Sequence, residues 1–141
     1  MVHELRHRDG IASLSFVAQQ TDGTVVGHII CSNAVIKKGE QILPVLNFSP
    51  LSVLPEYQRQ GVGKSLVRTM IEQEKKLGYG AILFFGRPEY YPQFGFGDAA
   101  LYGISDSEGY NYPAFMAMEL KEGYLNDIRG GKYFESDIYN D

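Results

Sequence analysis

One stretch, Leu51 to Phe96, constrains the fold of this chain more than any other: LSVLPEYQRQGVGKSLVRTMIEQEKKLGYGAILFFGRPEYYPQFGF. Leu51, Val53 and Leu54 end an apolar strand, and Pro55 closes it because proline donates nothing to a ladder. Val62, Leu66, Val67, Met70, Ile71 and Leu77 then recur at helical spacing, with Arg68, Glu72, Lys75 and Lys76 between them. Gly78 suits the left-handed residue that ends many helices. The run from Ala81 to Gly86 is continuously apolar, as a parallel strand buried on both faces requires. The stretch therefore predicts one parallel strand–helix–strand unit.

Its first turn is built for an anion. Gln58-Arg59-Gln60-Gly61-Val62-Gly63-Lys64 leads directly into the helix. A helix start exposes unpaired N–H groups and the positive end of the dipole, where phosphate is stabilised. Glycines at 61 and 63 let a ligand approach main chain that a Cβ would cover. Arg59 offers a planar fork and Lys64 a point charge. Two nucleotide motifs fail on named residues. Gly63-Lys64-Ser65 resembles the end of a Walker A loop, which needs a glycine at 58 and meets Gln58. The dinucleotide fingerprint needs a third glycine at 66, where Leu66 stands.

The pattern Gln58-x-x-Gly61-x-Gly63, shortly after Val53-x-Pro55, resembles the acetyl-CoA pyrophosphate loop of the GCN5-related N-acetyltransferases (GNAT). The closing segment Tyr90-Tyr91-Pro92-Gln93-Phe94-Gly95-Phe96 is similar to the Tyr-x-x-x-Gly-Phe end of that core. With Gly86-x-Pro88 before it, the segment looks like the bacterial YhbS-like subgroup. The resemblance covers about residues 11–120. It implies an α/β fold with a mixed sheet: antiparallel N-terminal strands, a central βαβ unit and a shortened start. It implies a bulged strand that splays from its neighbour, with Leu51, Ser52 and Val53 lining the opening for the pantetheine arm. Gln58, Arg59, Gln60, Gly61, Val62, Gly63 and Lys64 would hold the pyrophosphate. The Val53 N–H would polarise the acyl carbonyl. Tyr91, four residues before Gly95, would protonate the departing thiolate and touch the coenzyme; Tyr90 is the competing phenol. Pro88 departs from the pattern, standing where many relatives carry an asparagine that contacts the arm. The chemistry calls for acetyl-CoA as cosubstrate and no metal.

The rest of the chain is read more coarsely. At 141 residues it is long enough for one domain, 1–141, and 44% apolar with 21% charged residues is ordinary globular composition. A formal charge of −4 without a basic run argues against a nucleic-acid surface. The single cysteine, Cys31, excludes an internal disulfide and sits in an apolar run as a small buried residue. Residues 1–10 are too polar for a signal peptide, and no apolar run reaches membrane-spanning length, so a cytoplasmic location is expected. Residues 1–10 read as the remnant of an N-terminal helix, with His3, Arg6, His7 and Arg8 facing solvent. Residues 11–20, 25–37 and 42–54 read as an antiparallel meander, its first turn fixed by Asp22-Gly23. Pro50 marks a bulge in the third strand. Residues 88–94 suggest a short helical turn, 102–104 and 114–120 final strands, and 121–141 a tail without regular structure.

Only ten residues precede the first strand of the resemblance, where the family normally opens with a strand and one or two helices. Either the start of that fold is missing here, or a partner subunit replaces it, which would make a homodimer. No side chain stands out as general base. Asn47 and Ser49 can point into the cleft from the bulged strand, but neither is a good base alone. Glu56 and Glu89 read as solvated carboxylates and His28 as a residue of the sheet, and a chain of waters could serve instead. The expected activity is N-acetyl transfer from acetyl-CoA to a primary amine of a small molecule or protein. The alternative is a non-catalytic coenzyme A-binding or regulatory module.

Overall fold

The computed structural model describes residues 2–6, 13–48 and 52–135. Strands β1 (Val2–Arg6), β2 (Ser13–Gln19), β3 (Val25–Lys38) and β4 (Gln41–Phe48) form an antiparallel series. The β2–β3 hairpin turns where the sequence places it. Asp22 Oδ1 accepts from the Thr24 N–H at 2.9 Å, and Gly23 takes a φ of +93° that other residues adopt only under strain.

The long β3 is the spine of the sheet. On one side it pairs with β4 and then with the short β5 (Ser52–Val53); on the other with β2 and then with β9 (Lys132–Glu135). Helix α1 (Val62–Lys76) crosses to β6 (Ala81–Phe85), which lies parallel to β4. β8 (Phe115–Glu119) pairs antiparallel with β6 and with β7 (Gly97–Asp98), so the order is β1-β2-β3-β4-β6-β8-β7.

Two apolar layers hold the sheet. Leu66, Val67 and Met70 of α1 pack on Phe16, Ile29, Leu46, Phe48, Ile82 and Phe84. On the opposite face the segment from Ala99 to Tyr133 lays Ala99, Ile104, Leu125 and Ile128 over Ala34, Ile36, Val45, Leu83 and Phe115. Residues of β6 thus alternate between two buried faces, which explains why its sequence is apolar without interruption. Helix α1 ends as its glycine implies. Gly78 lies at φ +92°, its N–H reaches the Lys75 carbonyl at 3.1 Å, and the Tyr79 N–H reaches Glu74 at 3.2 Å.

Three sequence expectations need correction. The N-terminal piece is not a helix remnant: residues 2–6 form β1, in register with β2 from Val2↔Ala18 to Arg6↔Leu14. An unpaired edge of β2 competes for these residues more strongly than a helix too short to propagate. His7 and Arg8 lie outside the described residues. The stretch 102–104 is not a strand; Ala99–Tyr102 forms a 3₁₀ turn that drops Ile104 into the core. The tail is not irregular throughout, since β9 pairs with β3 from Lys132↔Lys37 to Glu135↔Ala34.

Gly131 makes this last pairing possible. A Cβ there would stand 2.7 Å from Ile36 Cγ2 and 2.9 Å from the Ile128 carbonyl oxygen. Gly131→Ala is therefore expected to lower stability by about 1–3 kcal/mol, read as a lower urea midpoint at constant slope. An unchanged midpoint would contradict the close seating of β9.

Candidate active site

The site begins with a register slip. Along β3, Cys31 pairs with Phe48 and His28 with Ser52, so three steps on β3 are matched by four on its neighbour. One extra residue on one strand is the signature of a β-bulge. Residues 49–51, which include Pro50 and Leu51, lie between these pairs and outside the described residues. Beyond the slip β5 pairs with β3, while among the described residues β4 pairs with β6 at Leu46↔Ile82 alone.

Backbone direction follows from the pairing. The Leu54 N–H is given to the Val26 carbonyl at 2.8 Å. Successive strand residues point their N–H groups to opposite sides, so the Val53 N–H points away from β3. The Val53 carbonyl points the same way, where it accepts from Gln58 Nε2 at 3.1 Å.

The loop then folds back on itself. Pro55–Tyr57 forms a 3₁₀ turn, and Gln60 Nε2 donates to the Glu56 carbonyl at 2.8 Å. Two residues take left-handed backbone, Gly61 at φ +84° and Arg59 at φ +68°. For Arg59 that conformation costs about 1–2 kcal/mol, strain of the kind that collects at ligand sites. Nothing lies within 4 Å of where a Gly61 Cβ would be, so its φ, and not crowding within the protein, requires glycine.

Gly61 is also the N-cap of α1, and no described side chain caps that end. The first intrahelical bond is Ser65 N–H to Gly61 O at 3.0 Å, which leaves the N–H groups of Val62, Gly63 and Lys64 without helical partners. The charges on α1 are informative. Lys75 and Lys76 occupy the last turn, where the dipole favours cations, yet the first turn holds no acid and contains Lys64. A cation there is disfavoured by about 0.3–1 kcal/mol unless an anion joins it.

These elements surround a cleft of about 760 Å³ lined by Val53, Gln58, Arg59, Gly61, Gly63, Lys64, Arg87 and Tyr90. Among the described residues three cations and no carboxylate line it, on a chain whose formal charge is −4. Of the residues expected from sequence, Val53, Gln58, Arg59, Gly61, Gly63 and Lys64 are brought together. Gln58 also has a structural task, tying the loop to Val53. Ser52 lines an adjoining depression that shares Val53 and Gln58 with the cleft. Gln60 and Val62 face a separate hollow towards β2.

Tyr91, the phenol expected to touch the coenzyme, is not among the residues lining the cleft, whereas its neighbour Tyr90 is. Tyr91 is only 6% exposed, wedged edge-on against Phe84 at 4.8 Å and near Phe48 and Phe96. Tyr90 stands in front of it, 4.9 Å away and perpendicular, on the cleft wall with Arg87 over its ring at 5.4 Å. Burial raises the Tyr90 phenol above its ordinary range, partly offset by Arg87 and Arg68. Gly86 is explained here, since a Cβ would meet Phe84 at 2.5 Å and Tyr91 at 2.8 Å. Arg87 escaped the sequence reading. Its only signal is position, one residue past Gly86 at the mouth of the parallel strand, where ligands of open α/β sheets collect.

Known proteins resemble the chain in family and fold. Residues 10–97 match the family described as acetyltransferase (GNAT) domain. The chain is 32% identical over 130 residues to an uncharacterized N-acetyltransferase, YhbS, of Escherichia coli K12, covering 92% of this chain and 76% of the relative. The crystal structure of E. coli YhbS in complex with CoA superposes with a TM-score of 0.79 at 28% identity, over 94% of this chain and 72% of that one. A GNAT family acetyltransferase of Brucella melitensis in complex with acetyl-CoA gives a TM-score of 0.56 at 30% identity, over 75% and 57% of the two chains. Among the described residues no helix is long and apolar enough to cross a membrane.

The misplaced cation supplies a test. Lys64→Glu is expected to stabilise the ligand-free protein by about 0.3–1 kcal/mol while weakening CoA binding at least tenfold. Denaturant midpoints and calorimetric titration read the two effects. A variant both less stable and equally avid for CoA would contradict this account of the helix start.

Proposed function

The chain belongs to the GNAT acetyltransferase family, and on that premise we propose that it transfers the acetyl group of acetyl-CoA to a primary amine by direct attack. The observation that carries this reading is the uncapped start of α1, with Lys64 in its first turn, beside the register slip that frees the Val53 N–H. The first feature suits a diphosphate; the second suits a thioester carbonyl.

Arg59, Lys64 and the N–H groups of Val62, Gly63 and Lys64 bind the diphosphate, with Arg87 adding charge from the opposite wall. Ser52 and Val53 offer strand backbone to the pantetheine arm. The Val53 N–H donates to the acyl oxygen as it gains negative charge. The amine nitrogen forms the C–N bond as the C–S bond breaks; nitrogen sheds a proton and sulfur receives one. The protein's task is alignment and the placement of these protons.

Tyr91 is assigned as the donor to sulfur, on the resemblance of Tyr91-x-x-x-Gly95-Phe96 to the family's closing segment and on its place beside β4 and β6, where those strands part. A phenol near pKa ~10 stays protonated at neutral pH. Its small exposure in the ligand-free protein does not disqualify it, because catalytic contacts commonly form only in the complex. Tyr90 is the second reading, favoured by its position on the cleft wall.

The two phenols separate by substitution. With acetyl-CoA and an amine panel, followed by free-thiol release, Tyr91→Phe is expected to lower kcat at least tenfold, within the ~10²–10⁴ range of acid catalysis. Tyr90→Phe is expected to change mainly KM. The reverse pattern would move the role to Tyr90. Tight CoA binding without thiol release from any amine would favour a coenzyme-binding module.

A further inference from the structure

The face of the sheet opposite α1 carries polar groups that the coenzyme reading does not use. Along β4 the residues on this face run Leu43, Val45, Asn47; along β6 they run Ala81, Leu83, Phe85. Both rows change character just past the Leu46↔Ile82 pair, from apolar residues to Asn47 on β4 and the exposed Phe85 on β6. From β9, on the far side of β3, Tyr133 and Glu135 project onto the same face, being two residues apart in a strand.

These groups are organised. Asn47 Nδ2 donates to the Tyr133 hydroxyl oxygen at 2.6 Å and to Glu135 Oε2 at 3.3 Å. The Tyr133 hydroxyl in turn donates to the Leu83 carbonyl at 3.4 Å, so one phenol spans from β4 to β6. Tyr133 is buried, and burial raises its phenol well above the usual range, so it stays neutral. Glu135 is exposed, with Asn47 as its polar contact and no described cation paired with it. Beside Tyr133, at 6.1 Å between centroids, the 38% exposed Phe85 is stacked with the buried Phe115 at 4.7 Å and with the exposed Tyr112 at 5.7 Å.

A carboxylate held by Asn47, on the same face of the sheet as partly exposed aromatic side chains, is chemistry for an organic cation with an apolar body. Position says which cation. Val53 pairs with Gly27 and Asn47 with Ser32, five residues further along β3. At ~3.3 Å per residue that is roughly 17 Å, too far for Glu135 to take a proton from an amine attacking at Val53. Allowing ~3 Å of contact distance at each end leaves roughly 11 Å, about the span of an extended diamine of eight carbons. Along the strand direction Phe85, three residues past Ile82 on β6, falls between the two ends.

We propose that the acceptor is an extended amine bearing a second positive charge, whose distal ammonium rests on the Glu135 carboxylate held by Asn47, with its apolar spacer against Phe85 and Tyr112. Glu135 is a specificity-determining residue, not the base. The inference rests on the acetyl-CoA reading above and goes beyond it in naming the acceptor class.

The test compares 1,8-diaminooctane with octylamine, which differ in the distal charge, by acetyl-CoA-dependent thiol release. The wild-type protein is expected to favour the diamine at least tenfold in kcat/KM, mainly through KM, with the preference shrinking as salt rises. Glu135→Gln is expected to erase the preference while leaving octylamine turnover and calorimetric CoA affinity unchanged; Asn47→Ala, which frees the carboxylate, is expected to reduce it. Equal use of both amines by the wild type, or equal loss of both in Glu135→Gln, would overturn the inference. So would CoA binding without turnover of either amine. Absence of CoA binding would instead bring down the coenzyme reading, and this inference with it.

Discussion

The structure depends on a strand that keeps its partner after gaining a residue. Because β5 follows β4 along β3 with one extra residue between the registered pairs, it no longer tracks β6. The chain must then cross from β5 to the start of α1 in a few residues. It does so through a 3₁₀ turn, two left-handed residues and an uncapped N-terminus. The opening in the sheet and the exposed amides thus arise from one constraint. Neither is stable for its own sake: a strained arginine, an unfilled cap and a cation at the positive end of a helix all weigh against folding. An anion in the cleft relieves the last two.

That cost is offset by an apolar layer that is complete on both sides of the sheet. The face of α1 from Leu66 to Met70 is fully buried, and the central β6 has no solvent-facing residue before Phe85. Aromatic rings close the layer near the cleft, with Phe48, Phe84, Tyr91 and Phe96 in mutual contact. A rigid wall of this kind positions backbone donors more firmly than a loop alone could.

Much of this was legible in the residues themselves. The α1 boundaries, the glycine stop, the Asp22-Gly23 hairpin and the doubly buried β6 each follow from local spacing or a single turn residue. The turn into α1 was legible because Gly61 and Gly63 stand directly before an amphipathic helix. Elements fixed by distant partners were not. β1 has no periodicity of its own and exists through β2; β9 is four residues whose one buried side chain, Tyr133, reveals nothing until β3 is beside it. The order of Tyr90 and Tyr91 in depth was equally hidden, because adjacent residues in a 3₁₀ turn do not follow strand alternation. The link from Asn47 to Glu135 spans 88 positions and is invisible without the fold.

The central claim is that main-chain amides and cations at the start of α1 hold a diphosphate. Calorimetric titration with CoA and, separately, with pantetheine isolates that contribution, since pantetheine keeps the thiol-bearing arm and lacks the phosphates. CoA is expected to bind at least a hundredfold more tightly, with an affinity that falls as salt rises. Equal affinity for the two, or no heat with CoA from folded protein, would contradict the account.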